Sequence, residues 1–130
     1  MFAQPRGIHA YQQVQTETRS PLELVVMLYD GALASVMQAR DAAARGDVRQ
    51  RGAAVSKALS IVGALRETLN LSDGGTVAAE LDRLYDYVTR RLLDVTARHD
   101  AAALVEVHKL LSGVRDAWHQ IATQPHRAAS

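Results

Sequence analysis

With 130 residues, 48% of them hydrophobic and no cysteine, the chain has material for one domain around one core and none for a disulfide framework or a thiolate metal site. A net charge of +1, with the two signs interspersed, leaves no basic face for nucleic acid. The longest uninterrupted apolar run, residues 24–29, falls far short of the ~20 residues that span a bilayer, and the first six residues lack the apolar segment of a signal peptide, so the expectation is a cytoplasmic protein without membrane insertion.

Aromatic residues make up only 5% of the chain, so the core must come from Leu, Val, Ala and Ile, and a composition rich in Ala and Leu favours helix. Residues 1–19 read as an arm rich in Gln and Thr, yet Ile8, Tyr11 and Val14 recur three apart, on one side of a short helical turn. A first helix is predicted from Ser20, where Ser20 at the N-cap, Pro21 at the first position and Glu23 two places on form a capping box. Its stripe is Leu22, Val25, Tyr29, Ala32, Val36 and Ala39, and Gly46 should end it.

A second helix begins near Asp47 with the stripe Val55, Leu59, Val62, Leu65 and Leu69, before the turn chemistry of Leu71-Ser72-Asp73-Gly74-Gly75. A third starts near Thr76 and carries Val77, Leu81, Leu84, Val88, Leu92 and Val95 inward. Asp100 is the expected cap of a fourth, where Leu104, Val107, Leu111, Val114, Trp118 and Ile121 follow strict steps of three and four before Pro125. Four helices of roughly 20 residues joined by short connections imply an all-α, antiparallel up-down-up-down four-helix bundle. The N-terminal arm or a short helix within it would act as a cap. The boundaries are 1–19 for the arm, 20–124 for the bundle and 125–130 for a tail.

Catalytic chemistry is hard to find in this pattern. A di-iron bundle needs two Glu-x-x-His pairs plus two more inward carboxylates, and the nearest match is a single Asp116-x-x-His119. There is no nucleophile elbow and no phosphate loop. The expectation is a protein that is not an enzyme and uses no cofactor or metal. One alternative is a histidine phosphotransfer module using His108, since His108-Lys109-Leu110-Leu111-Ser112-Gly113 loosely resembles that pattern; Leu111, however, stands where such modules carry Lys, and the Gly comes one place late.

Apolar residues are in surplus. Leu24 and Leu28, Ile61, Tyr85 and Tyr87, and Val105 and Leu110 fall outside the single stripe that each helix needs. Part of this surplus broadens the core; the rest leaves apolar grooves between helices, which suit an amphipathic partner segment. The arm with Ile8, Tyr11 and Val14 is placed to cover such a groove. Self-association as a homodimer stays open.

The motifs Ala10-Tyr11-Gln12-Gln13, Ser20-Pro21-Leu22-Glu23-Leu24 and Met27-Leu28-Tyr29-Asp30-Gly31 resemble the opening of the flagellar secretion chaperones, the FliS family. Leu84-Tyr85-Asp86-Tyr87 with Arg90-Arg91-Leu92 is similar to the family's third helix, and Arg115-Asp116-Ala117-Trp118 to its ending. The likeness runs from about Ala10 to Ile121, departing at Thr89 and at Val95-Thr96. It implies a cytosolic export chaperone that holds the disordered C-terminal segment of flagellin, prevents premature polymerisation and helps deliver it to the flagellar type III export gate. It also implies that Ile8 and Tyr11 belong to a mobile cap. The residues expected to meet the partner are Ile8, Tyr11 and Tyr29, then Ile61, Leu65 and Leu69 facing Leu81 and Leu84 between the second and third helices. Of Tyr85 and Tyr87, one is expected inward and one at the groove.

Overall fold

A computed structural model describes residues 21–69 and 75–123. They form four α-helices, α1 Pro21–Ala44, α2 Val48–Glu67, α3 Gly75–Arg98 and α4 Ala102–Thr123. The predicted cap Ser20, the arm with Ile8 and Tyr11, the turn at 70–74 and the tail lie outside the described residues.

The connection from α1 to α2 is built by its local sequence. Gly46 adopts φ +73°, a left-handed conformation that glycine reaches without a Cβ penalty. This lets the Gly46 N–H reach the Ala43 carbonyl at 3.1 Å and the Asp47 N–H reach that of Ala42 at 2.9 Å, closing the end of α1 as a Schellman motif. Asp47 then accepts from the Gln50 N–H at 3.0 Å and caps α2, as its position predicts. The third helix starts at Gly75, within one residue of the expected Thr76, which lies inside the helix and is therefore not its N-cap. Asp100 does not cap α4 with its side chain, because its carboxylate is taken by Arg91 Nη1 at 3.1 Å.

The helices close into a ring: α1 packs on α2 and α4, α2 on α3, and α3 on α4. The core lies inside this ring. Tyr29, Ala32, Val36 and Ala39 face Val55, Ala58, Val62 and Leu65, with Tyr85, Val88, Leu92 and Val95 and then Leu104, Val107 and Leu111 completing it. Each set repeats at three and four residues because only one face of a helix can turn inward. Each large aliphatic side chain buried here contributes roughly 1.5–3 kcal/mol. α1 and α2 pack closely at Gly31, where a Cβ would meet Ile61 Cδ1 at 3.4 Å, an ordinary contact distance.

Two stripe residues are not inside. Val77 is 60% and Ile121 49% exposed, because both sit near helix ends where the neighbouring helices run out. By length and composition alone α1 could cross a membrane, which a count of uninterrupted apolar residues does not detect. Its apolar face is instead the one that supplies Tyr29, Ala32, Val36 and Ala39 to the core.

Ion pairs tie neighbouring helices at their surfaces. Arg115 Nε meets Asp30 Oδ1 at 2.7 Å between α4 and α1. Arg66 Nε meets Asp82 Oδ1 at 2.6 Å between α2 and α3. Arg91 Nε meets Glu106 Oε1 at 2.7 Å between α3 and α4. Such exposed pairs add little stability, but each records which turns of two helices lie side by side.

Candidate groove at one end of the bundle

Near Pro21 the four helices leave an apolar hollow of about 370 Å³. Pro21, Leu24 and Val25 of α1 form one wall, and Thr68 and Leu69 at the end of α2 another. Val77, Ala78, Leu81 and Tyr85 of α3 face them, and Trp118 of α4 closes the base. The hollow exists because α1 and α3 begin here while α2 and α4 end. Among the described residues no further helical turn covers the side chains at this end, and Val77 is left largely exposed. A second hollow of about 420 Å³ between α1 and α2 is different in kind: beside Ala53 and Ala54 its lining carries Gln38, Asp41, Arg45, Gln50 and Lys57.

Of the residues expected to meet a partner, the groove brings together Leu69, Leu81 and Tyr85. Tyr29 and Leu65 are 0% exposed and belong to the core. Ile61 and Leu84 are partly buried and pack against that core without lining the groove. Tyr85 is the inward tyrosine of its pair, at 2% exposure, and reaches the groove only with one edge. Tyr87 is exposed and turned towards α4, where its hydroxyl donates to Glu106 Oε2 at 2.7 Å. Pro21, Leu24, Val25, Thr68, Val77, Ala78 and Trp118 were not expected at a groove. Leu24 alone carried a signal, as a leucine outside the stripe of its helix.

Beneath the groove lies a polar contact in an otherwise apolar core. The hydroxyls of Tyr29 and Tyr85 meet at 2.6 Å, with ring centroids 6.3 Å apart. Burial raises the pKa of Tyr29 above 10.0, opposed in part by the Tyr85 hydroxyl and the Trp118 indole. Tyr85 is raised strongly, by burial first and then by its hydrogen bond to Tyr29. Either hydroxyl can donate to the other. Both phenols are neutral at physiological pH, so the contact is a hydrogen bond between uncharged groups.

Nothing here resembles a reaction centre. His108 is half-buried, with Nδ1 3.5 Å from the Ser112 hydroxyl. Asp116 and His119 are exposed on α4, and no three His, Asp or Glu side chains could share a metal among the described residues.

The sequence matches the family described as "Flagellar protein FliS" over residues 4–125. It is 44% identical over 120 residues to the flagellar secretion chaperone FliS of Salmonella typhimurium, covering 88% of this chain and 89% of that one. It is 37% identical over 120 residues to the flagellar secretion chaperone FliSB of Pseudomonas aeruginosa, covering 89% and 95%. With FliS of Bacillus subtilis it shares 35% identity over 111 residues, covering 85% and 82%. These relatives are named as chaperones, not as enzymes, and nothing in the comparison supports a phosphotransfer role for His108.

Proposed function

Because the chain belongs to the FliS family of flagellar secretion chaperones, we propose that it holds the C-terminal segment of flagellin in the groove beside Pro21 and keeps that segment from polymerising before export. The observation that carries this reading is the groove itself, an apolar hollow to which all four helices contribute. A disordered client loses conformational entropy on binding, and apolar burial along an amphipathic helix offsets that loss. The partner-facing set is then Leu69, Leu81 and Tyr85 with Leu24, Val77 and Trp118, while Tyr29 and Leu65 support the groove from inside.

We place the protein in the cytosol, handing its client to the flagellar export gate. The chain divides into an arm at 1–19, a bundle at 20–124 and a tail at 125–130. The bundle runs up-down-up-down. Supporting that topology, Asp30 early in α1 pairs with Arg115 late in α4, and Arg66 late in α2 with Asp82 early in α3. The arm continues directly from the groove wall at Pro21, so Ile8 and Tyr11 are within reach of the hollow and would cover it until the client displaces them.

Titration of the whole chain with a flagellin C-terminal peptide, followed by circular dichroism, tests this reading. A stoichiometric complex with more helix than the sum of its parts is expected; absence of binding at micromolar peptide would sink the proposal.

A further inference from the structure

Among the described helices, α4 is the one whose core contacts stop halfway. Its buried side chains are Ala103, Leu104, Val107 and Leu111, and from Ser112 to Thr123 none is buried. The other three helices keep a buried side chain within a turn of their last residue, at Ala42, Leu65 and Val95. The second half of α4 contributes Val114 and Trp118, which pack partly buried against the core, and Trp118 also closes the base of the groove. Arg115 ties this half to α1 by a forked contact, Nε to Asp30 Oδ1 at 2.7 Å and Nη2 to Asp30 Oδ2 at 3.4 Å. The two halves meet at Ser112-Gly113. Glycine weakens a helix interior relative to alanine, and Gly/Ser pairs are among the few sequences at which helices bend sharply. Gly113 is exposed, and a Cβ there would meet nothing within 4 Å, so close packing does not require this glycine.

We infer that residues 114–123 form a movable wall of the groove, hinged at Ser112-Gly113 and strapped shut by Arg115 on Asp30. Bending at the hinge carries Trp118 away from the base and widens the hollow to admit the client. This rests on the reading of the groove as the flagellin site and names how access to it is controlled. A segment with few buried side chains opens at small cost, whereas the first half of α4 stays anchored by the fully buried Leu104, Val107 and Leu111. The strap suits a reversible catch, because an ion pair that is partly in solvent is weak enough to break and re-form. Since the client takes the bent form, its apparent affinity scales with the fraction of molecules that are bent.

Hinge and strap substitutions must then act in opposite directions. Gly113→Ala places a methyl group in open space and favours the straight helix by roughly fivefold, the difference in helix propensity between the two residues. The full chain carrying it should be more heat-stable than the wild type, yet bind the flagellin C-terminal peptide about fivefold more weakly and associate with it more slowly. Arg115→Gln and, independently, Asp30→Asn release the strap and should bind the peptide about two- to fivefold more tightly. Calorimetric titration gives the affinities, and stopped-flow fluorescence of Trp118, the chain's only tryptophan, gives the association rates. A Gly113→Ala chain that binds as tightly and as fast as the wild type would overturn the movable wall while leaving the groove reading standing. Weaker binding by the strap variants would overturn it too, since a fixed brace predicts that sign. No binding to the wild-type chain would overturn both readings.

Discussion

Arg51 on α2 donates from Nη2 to Nδ1 of His99, 3.2 Å away, in the connection between α3 and α4. The arginine is only 8% exposed and its Nε has no acceptor, so His99 is the side-chain acceptor that this buried cation possesses among the described residues. His99 meanwhile holds φ 55°, a left-handed conformation that few non-glycine residues adopt. The pair fixes the connection by two opposed effects, a hydrogen bond that stabilises it and a backbone conformation that strains it. A guanidinium can only donate, so the ring nitrogen it meets must carry a lone pair.

His99→Ala should therefore lower stability by about 1–3 kcal/mol, because it leaves a buried guanidinium without its acceptor and keeps a Cβ in the left-handed region. His99→Asn should recover part of that loss, since asparagine tolerates this conformation and carries an acceptor oxygen. Urea unfolding of the three proteins checks the order. An alanine variant as stable as the wild type would show that the contact carries no weight.

A second contact makes stability depend on pH. The Glu106 carboxyl is held below its ordinary value of 4.5, first by the hydrogen bond from Tyr87 and then by that from Arg91. A carboxyl depressed by folding adds stability above its unfolded pKa, and that contribution disappears as pH falls through the lower folded value. The urea midpoint of the wild type should thus exceed that of Glu106→Gln near neutrality, with the difference closing as pH falls below the ordinary carboxyl value of 4.5. Tyr87 has the opposite sign. Its hydroxyl is raised above 10.0, chiefly by Glu106, so its contribution is present at neutral pH and lost only in strong alkali. A gap between wild type and Glu106→Gln that persists unchanged into acid would show that the carboxylate is not what holds this contact.

These contacts also mark where sequence reading reaches its limit. The 3–4 stripes identify the inward face of each helix, and Val88, Leu92, Val95, Leu104, Val107 and Leu111 all lie buried where the spacing places them. Gly46 and Asp47 are legible because their roles are local. Periodicity does not say which turns of different helices lie at the same height. That is why Leu65 looks as much like a groove residue as Leu69, although one is in the core and the other at the open end. It is also why Trp118 can be assigned inward without its contact with the groove being seen. Arg51 gives no warning, since an arginine in a first turn usually faces solvent.

The difference between groove and core gives the sharpest test of the proposed site. Val77 is 60% exposed and lines the groove, whereas Leu65 is fully buried beneath it. Replacing Val77 with glutamate places a charge against the apolar wall without opening a cavity, and an exposed substitution of this kind normally changes stability by less than about 0.5 kcal/mol. Val77→Glu should therefore fold as the wild type does and bind the flagellin peptide at least about tenfold more weakly, the cost of setting a charge against an apolar client face. Leu65→Ala should do the reverse. It leaves a cavity worth about 2–5 kcal/mol of stability, while the groove surface keeps its apolar residues and its affinity for peptide in whatever fraction stays folded. Melting temperatures and peptide affinities of the two variants, measured side by side, separate the effects. If Val77→Glu bound peptide as tightly as the wild type, the client would have to lie elsewhere on the bundle.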